Sequence, residues 1–133
     1  MTVGLVGRDA TTAAFFDGAA AGQFLIRRCS PAGHASRPQV RQCSTCGSTE
    51  LRWVPASGGA RLVSWAVVPG RRGGEDDAPG PSIVVVVGEL DEGPWWWSQI
   101  VGADPGSLAE GQRLRIGFEG AEGGEVVPVF EVA

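Results

Sequence analysis

Hydrophobic and polar positions fall into short runs with different periods along this chain. Residues 113–119, RLRIGFE, alternate polar and apolar residue by residue, the period-2 pattern of a half-buried strand. Residues 62–68, LVSWAVV, are rich in β-formers. Residues 82–90, SIVVVVGEL, form a nearly continuous apolar run, which predicts a central strand. Residues 95–101, WWWSQIV, and 126–131, VVPVFE, complete five strands. Residues 91–94 and 121–124 read as turns, 104–111 as one helical turn and a bend, and 69–81 as a long polar loop carrying both signs of charge. Five strands with a short helical turn before the fourth suit a small closed barrel of the OB type. Periodicity alone does not separate this from another small β-barrel.

The first third reads differently. Residues 1–9 look like a loose arm, and residues 11–22 predict a helix, with Thr11 or Asp9 capping its start and Gly22 ending it. Gly18 weakens that helix. Phe15, Phe16 and Ala19 form its apolar face, which packs either on its own domain or on a partner. Residues 24–28 and 51–55 predict two strands flanking a cysteine-bearing stretch, and 56–59, ASGG, has a linker's composition. The expected organisation is an arm and helix over 1–21, a small module over 22–55 and the barrel over 58–133.

With 133 residues the chain suits one medium domain or a module attached to one. Its 21 Gly and 9 Pro favour short strands and turns over helices. No apolar run reaches the roughly 18 residues of a membrane span, and the first residues lack a basic segment followed by an apolar core. The expected compartment is the cytoplasm. A net charge of −4 argues against a general grip on phosphate backbones, which rests on Lys and Arg.

Candidate chemistry concentrates between Cys29 and Gly47. All 3 cysteines and the only histidine lie there. Cys43 and Cys46 form a CxxCG knuckle, whose tight turn brings two sulfurs to one side, and Gly47 lets the backbone turn away. A four-coordinate zinc needs two more ligands, and Cys29 and His34 are the candidates. Ala32 stands where a second CxxC would place its second cysteine. Three readings therefore stand: a zinc ribbon held by Cys29, His34, Cys43 and Cys46, a ribbon that folds without metal, or ordinary buried thiols. The odd, clustered count fits reduced thiols better than disulfides.

Other features carry less. In a strand Trp96 points one way while Trp95 and Trp97 point the other, so one side enters the core and an exposed remainder marks a protein interface. Arg71 and Arg72 in the long loop, like Arg37 and Arg41 in the cysteine-bearing module, are either solvated or meet an anionic group. Glu89, Asp91 and Glu92 sit near a turn, where carboxylates are normally solvated. No Ser–His–Asp set or Gly-rich phosphate loop is present, so the chain is not expected to be an enzyme on its own.

Several segments in order resemble a known family: FFDGAAAGQFLIRRC, CSTCGS, WVPASGGARLVSWAVV, VGELDEGPWWWSQIVG, EGQRLRIGFE and the terminal PVFEVA. It is the acyl-CoA-associated family with an N-terminal, rubredoxin-like zinc ribbon and a C-terminal OB fold, catalogued as domain of unknown function (DUF) family thirty-five. The likeness covers nearly all of the chain from Phe15 onward. It implies a non-catalytic accessory subunit that binds and stabilises a thiolase-superfamily enzyme, such as a thiolase, an acyltransferase or a steroid side-chain aldolase, and helps enclose its acyl-CoA. It implies one structural zinc. The family's first pair is CxxC, and this chain departs from it at Ala32. Phe15, Phe16, Trp95 and Trp97 are the expected interface residues, exposed as a patch, and Arg71 and Arg72 the candidate contacts to CoA. The alternative for an OB barrel is nucleic-acid binding, disfavoured by the acidic balance.

Overall fold

The structure, a computed structural model, describes residues 10, 12–70, 80–120 and 123–133. It is mainly β with one short helix. In chain order the elements are α1 (Ala13–Ala20), β1 (Leu25–Cys29), β2 (Ala35–Ser36), β3 (Leu51–Pro55), β4 (Gly59–Gly70), β5 (Gly80–Leu90), β6 (Trp95–Ile100), a 3-10 turn (Pro105–Ser107), β7 (Arg113–Gly120) and β8 (Val126–Val132). The first three strands form a sheet in the order β2-β1-β3, and the last five close a barrel in the order β4-β5-β6-β8-β7.

The barrel follows the residue pattern. In β5, Val84, Val86, Gly88 and Leu90 are buried while the residues between them are partly exposed. Leu62 and Ala60 on β4, Ile100 on β6, Leu114 on β7 and Phe130 on β8 meet them inside. Closure rests on two junctions: β4 pairs with β7 through Ala60 and Leu114, and β6 runs parallel to β8 where Ile100 pairs with Phe130. Register shifts at Val63 and near Pro69 bend β4, as bulges do in small barrels. β4 and β5 are longer than their apolar runs and pair as far as Gly70 and Gly80. The loop's remaining residues, 71–79, lie outside the described residues, as do 1–9, 11 and the turn positions 121 and 122.

α1 is shorter than the pattern predicts. Its N-cap residue is Thr12, and Gly22, at φ 78°, reverses the chain at its end. The Gly22 amide donates to the Ala19 carbonyl at 3.0 Å and the Gln23 amide to the Gly18 carbonyl at 2.8 Å, the paired bonds of a Schellman stop. Gly18 has a packing reason: a Cβ there would lie 2.6 Å from Leu25 Cδ1, so the helix sits directly on β1.

The expectation that Phe15 and Phe16 are exposed is corrected. They are only 9% and 8% exposed. Phe15 meets Phe16, Phe24, Trp53 and Trp96 with ring centroids 5.4, 6.0, 6.2 and 5.9 Å away, and Phe24 meets Trp96 at 5.2 Å. The apolar face of α1 thus covers the seam between the small sheet and the barrel, and one hydrophobic cluster runs from Phe15 to Phe130. No helix among the described residues is long and apolar enough to cross a membrane.

Candidate metal centre and surrounding surface

β1 ends at Cys29, and two tight turns with the same backbone pattern carry the four candidate ligands. In the first, the Gly33 amide donates to the Cys29 carbonyl at 2.8 Å and the Cys29 amide to the His34 carbonyl at 3.1 Å. In the second, the Gly47 amide donates to the Cys43 carbonyl at 2.9 Å and the Cys43 amide to the Ser48 carbonyl at 2.8 Å. Gly33 and Gly47 both adopt positive φ, 79° and 75°, which only glycine takes without strain. The two turns align as CSPAGH and CSTCGS. Cys46 faces the cluster at the fourth place of its turn. Ala32 holds the same place in the first turn and is exposed, and His34, two residues on, supplies the group instead.

The ligand atoms of Cys29, His34, Cys43 and Cys46 all lie within 4.8 Å of one another. His34 Nδ1 is 3.5 Å from Cys29 Sγ and 3.7 Å from Cys43 Sγ, and the sulfurs of Cys29 and Cys46 are 3.7 Å apart. Backbone N–H groups point at the sulfurs: His34 to Cys29 at 3.3 Å, Thr45 to Cys43 at 3.3 Å and Cys46 to Cys43 at 3.4 Å. Such donors favour thiolate over thiol. The Cys46 amide, with Thr45 and the neighbouring thiols, lowers the Cys43 pKa to about 6 against the opposing effect of burial. For Cys46 the Ser48 backbone pulls downward, but Cys43, burial and Cys29 together push the thiol up. One sulfur is thus set up to ionise first, and the four residues could hold a metal ion.

Further bonds fix the turns. Arg28 donates to the Gly33 carbonyl at 2.9 Å and Arg52 to the Cys29 carbonyl at 3.3 Å. Ser36, on β2 and 2% exposed, accepts from the Ser44 amide at 3.3 Å. The hydropathy pattern had not shown β2, because two residues are too few to display a period.

Trp95 and Trp97 are 45% and 46% exposed, while Trp96 turns inward against the core. Arg37 lies over the Trp97 ring, 5.4 Å from its centroid. Ser44 and Thr45 of the second turn share a concavity with Trp95 and Trp97, so the candidate metal turn borders the exposed tryptophans. Arg71 and Arg72 lie outside the described residues. The carboxylates expected to be solvated have partners: Glu89 pairs with Arg61 and accepts from Trp95, Asp91 pairs with Arg113 at 3.0 Å, and Glu92 accepts from the Ser57 amide at 2.7 Å. Glu92 and Asp91, through the Ser57 amide and hydroxyl, tie the link after β3 to the barrel, and the other pairs join barrel strands.

A helix-fronted cysteine-and-histidine ribbon joined to a five-stranded OB barrel defines the class. The family model for the C-terminal OB-fold domain of ChsH2 matches residues 53–119, half of the chain. The chain belongs to that family, and with it to the DUF35 proteins. A solved structure described as the Ltp2–ChsH2(DUF35) aldolase is similar over 94% of this chain and 96% of its own, with 25% identity and a TM-score of 0.76. A DUF35-family protein from Sulfolobus solfataricus shares the fold, with 14% identity and a TM-score of 0.61 over 93% of this chain and 86% of its own. No curated protein matches the chain.

Proposed function

We propose that this chain is the non-catalytic partner subunit of a thiolase-superfamily enzyme acting on an acyl-CoA, with a structural zinc in its ribbon. The observation that carries this is the likeness, along nearly the whole of both chains, to the ChsH2(DUF35) aldolase structure. The Cys₃His cluster supports zinc. Tetrahedral bonds of about 2.3 Å to sulfur and 2.1 Å to nitrogen put neighbouring sulfurs about 3.8 Å apart, and sulfur and nitrogen about 3.6 Å apart. The separations of 3.7 Å between Cys29 and Cys46 and 3.5 Å between Cys29 and His34 sit close to those values. Zinc would cross-link the two turns and hold β1 against β2. With Nδ1 turned toward the sulfurs, His34 is better placed as a ligand than as a proton carrier.

Trp95 and Trp97, backed by Arg37, are the proposed anchors for the enzyme subunit, since exposed Trp and Arg are typical interface anchors. In this reading Arg71 and Arg72, on the loop between β4 and β5, reach the CoA phosphates, where charge-assisted hydrogen bonds are strong. The compartment is the cytoplasm, and neither nucleic acid nor membrane is a partner.

Co-expression with thiolase-like proteins of the same host tests the proposal. A stable complex with raised activity is expected, and the chain alone should be inactive. A chain that stays monomeric beside each of them, with no gain in their activity, ends this reading. Single-stranded DNA or RNA should bind no tighter than about 10 μM near physiological salt, because little counterion release is available.

A further inference from the structure

Trp95 and Trp97 share a concavity of about 460 Å³ with Arg37, Ser44, Thr45 and Glu92. Arg37 is held there from two directions. Its chain neighbours Ser36 and Pro38 are buried, and its guanidinium lies over the Trp97 ring, 5.4 Å from the centroid. A cation on a ring face is attracted to the ring and has less freedom left to lose on binding.

The charge on Arg37 has no counterpart among the described residues. Arg61, Arg113 and Arg115 pair with Glu89, Asp91 and Glu131, and Arg28 and Arg52 donate to backbone carbonyls. Arg37 makes neither a hydrogen bond nor an ion pair with any described residue. None of its nitrogens is enclosed, in contrast to the Arg27 Nε. This holds in a chain whose 15 acidic residues outnumber its 11 basic ones. Glu92 does not supply the missing charge: its Oε2 accepts from the Ser57 amide at 2.7 Å, and its Oε1 is buried.

We propose that this concavity receives a carboxylate-bearing segment of the enzyme subunit, an Asp or Glu side chain set beside Trp95 and Trp97 and paired with Arg37. This deepens the partner-subunit reading, on which it rests. The Arg fork offers two parallel N–H donors that match the two oxygens of a carboxylate. Thr45, exposed on the second cysteine turn, adds a hydroxyl at the same concavity. The two rings keep water from the pair, which strengthens it, and cover an apolar residue next to the carboxylate. The Trp95 indole N–H already donates to Glu89 at 3.4 Å, so this ring offers surface and asks for no acceptor. A nucleotide phosphate fits less well, because it brings up to about two negative charges to one cation in a chain of net charge −4.

The experiment uses the complex of the full chain with its thiolase-like enzyme subunit, measured by calorimetry at low and high salt. Affinity should fall as salt rises. Arg37→Gln should weaken binding about 10- to 100-fold, the worth of a hydrogen-bonded charge, and flatten that salt dependence. Arg37→Lys should recover part of the loss, because it keeps the charge without the paired donors. Arg41→Gln removes the same charge from an exposed position of the same module and should leave the affinity unchanged. Free CoA should not displace the enzyme subunit. Unchanged affinity in Arg37→Gln, an equal loss in Arg41→Gln, or displacement by CoA overturns the carboxylate contact and leaves the partner-subunit reading in place. No complex at all overturns both. An affinity indifferent to salt overturns the contact without any variant, so the test stands even if Arg37→Gln fails to fold.

Discussion

Gly88 on β5 faces Phe130 on β8 across the barrel interior, and a Cβ at position 88 would lie 2.7 Å from the Phe130 ring carbon Cζ. Phe130 is fully buried and fills the space a side chain at 88 would take. Gly88→Ala should therefore destabilise the chain by about 1–3 kcal/mol, the usual cost of overpacking. Phe130→Leu in the same chain should recover part of that loss, because the two changes share one space. Urea denaturation of the single and double variants measures both. Additive losses would mean that the two residues do not share that space.

The cysteine cluster makes a prediction about metal content. Freshly purified protein should carry about one zinc per chain, and Cys43→Ser should lose it and loosen the ribbon. His34→Ala should weaken binding less severely. Because the two turns share a backbone pattern, Ala32→Cys should restore metal binding to His34→Ala by supplying the sulfur at the place Cys46 holds in its own turn. Elemental analysis of the native protein and the three variants decides it, and a metal-free native protein removes the zinc reading.

Acid stability should report the brace between Asp91 and Arg113. The Arg113 guanidinium, together with Ser57, holds the Asp91 carboxyl below its ordinary pKa despite some burial. A lowered carboxylate pKa gives stability that is present above the unfolded value of about 3.9 and is lost as pH falls through the folded value. Asp91→Asn should therefore lower the melting temperature at pH 6 and have little effect well below the folded pKa. An equal loss at both pH values would mean that the side chain acts through shape, not charge.

Trp95 and Trp97 should matter more to assembly than to folding. Each is nearly half exposed, so replacement by serine should cost the monomer less than loss of a fully buried tryptophan would. In complex with the enzyme subunit the same changes should weaken binding by about 2 kcal/mol or more if they are its anchors. Calorimetry of the complex, paired with melting of the monomer, separates the two effects. Unchanged affinity in the double variant would move the interface elsewhere.

Most strands were legible because side-chain alternation survives in the sequence. The pattern RLRIGFE became β7 and the valine run became β5 almost residue for residue. The direction in which the α1 face points was not legible. Phe15 and Phe16 mark an apolar stripe, but only the tertiary placement of Phe24, Trp53 and Trp96 decides that the stripe closes a seam within the chain. The four residues that come together, Cys29, His34, Cys43 and Cys46, were legible from residue type and spacing. The signal for His34 itself lay in the repeat of CSPAGH and CSTCGS, where glycine recurs at the same offset from cysteine. Arg27 over Trp53 had no such signal, because the two residues meet only when β1 pairs with β3.

The aromatic seam bears on cooperativity. Phe15 and Phe24 precede the barrel in sequence yet touch Trp96, which belongs to it, and their cluster continues to Phe130. Neither sheet can open without exposing rings that the other also covers. The ribbon and barrel should therefore melt as one unit, with amide exchange at β1 and β5 limited by the same global opening. A chain built this way transmits loosening of its ribbon to its far barrel strands, which a pair of modules on a flexible tether would not do.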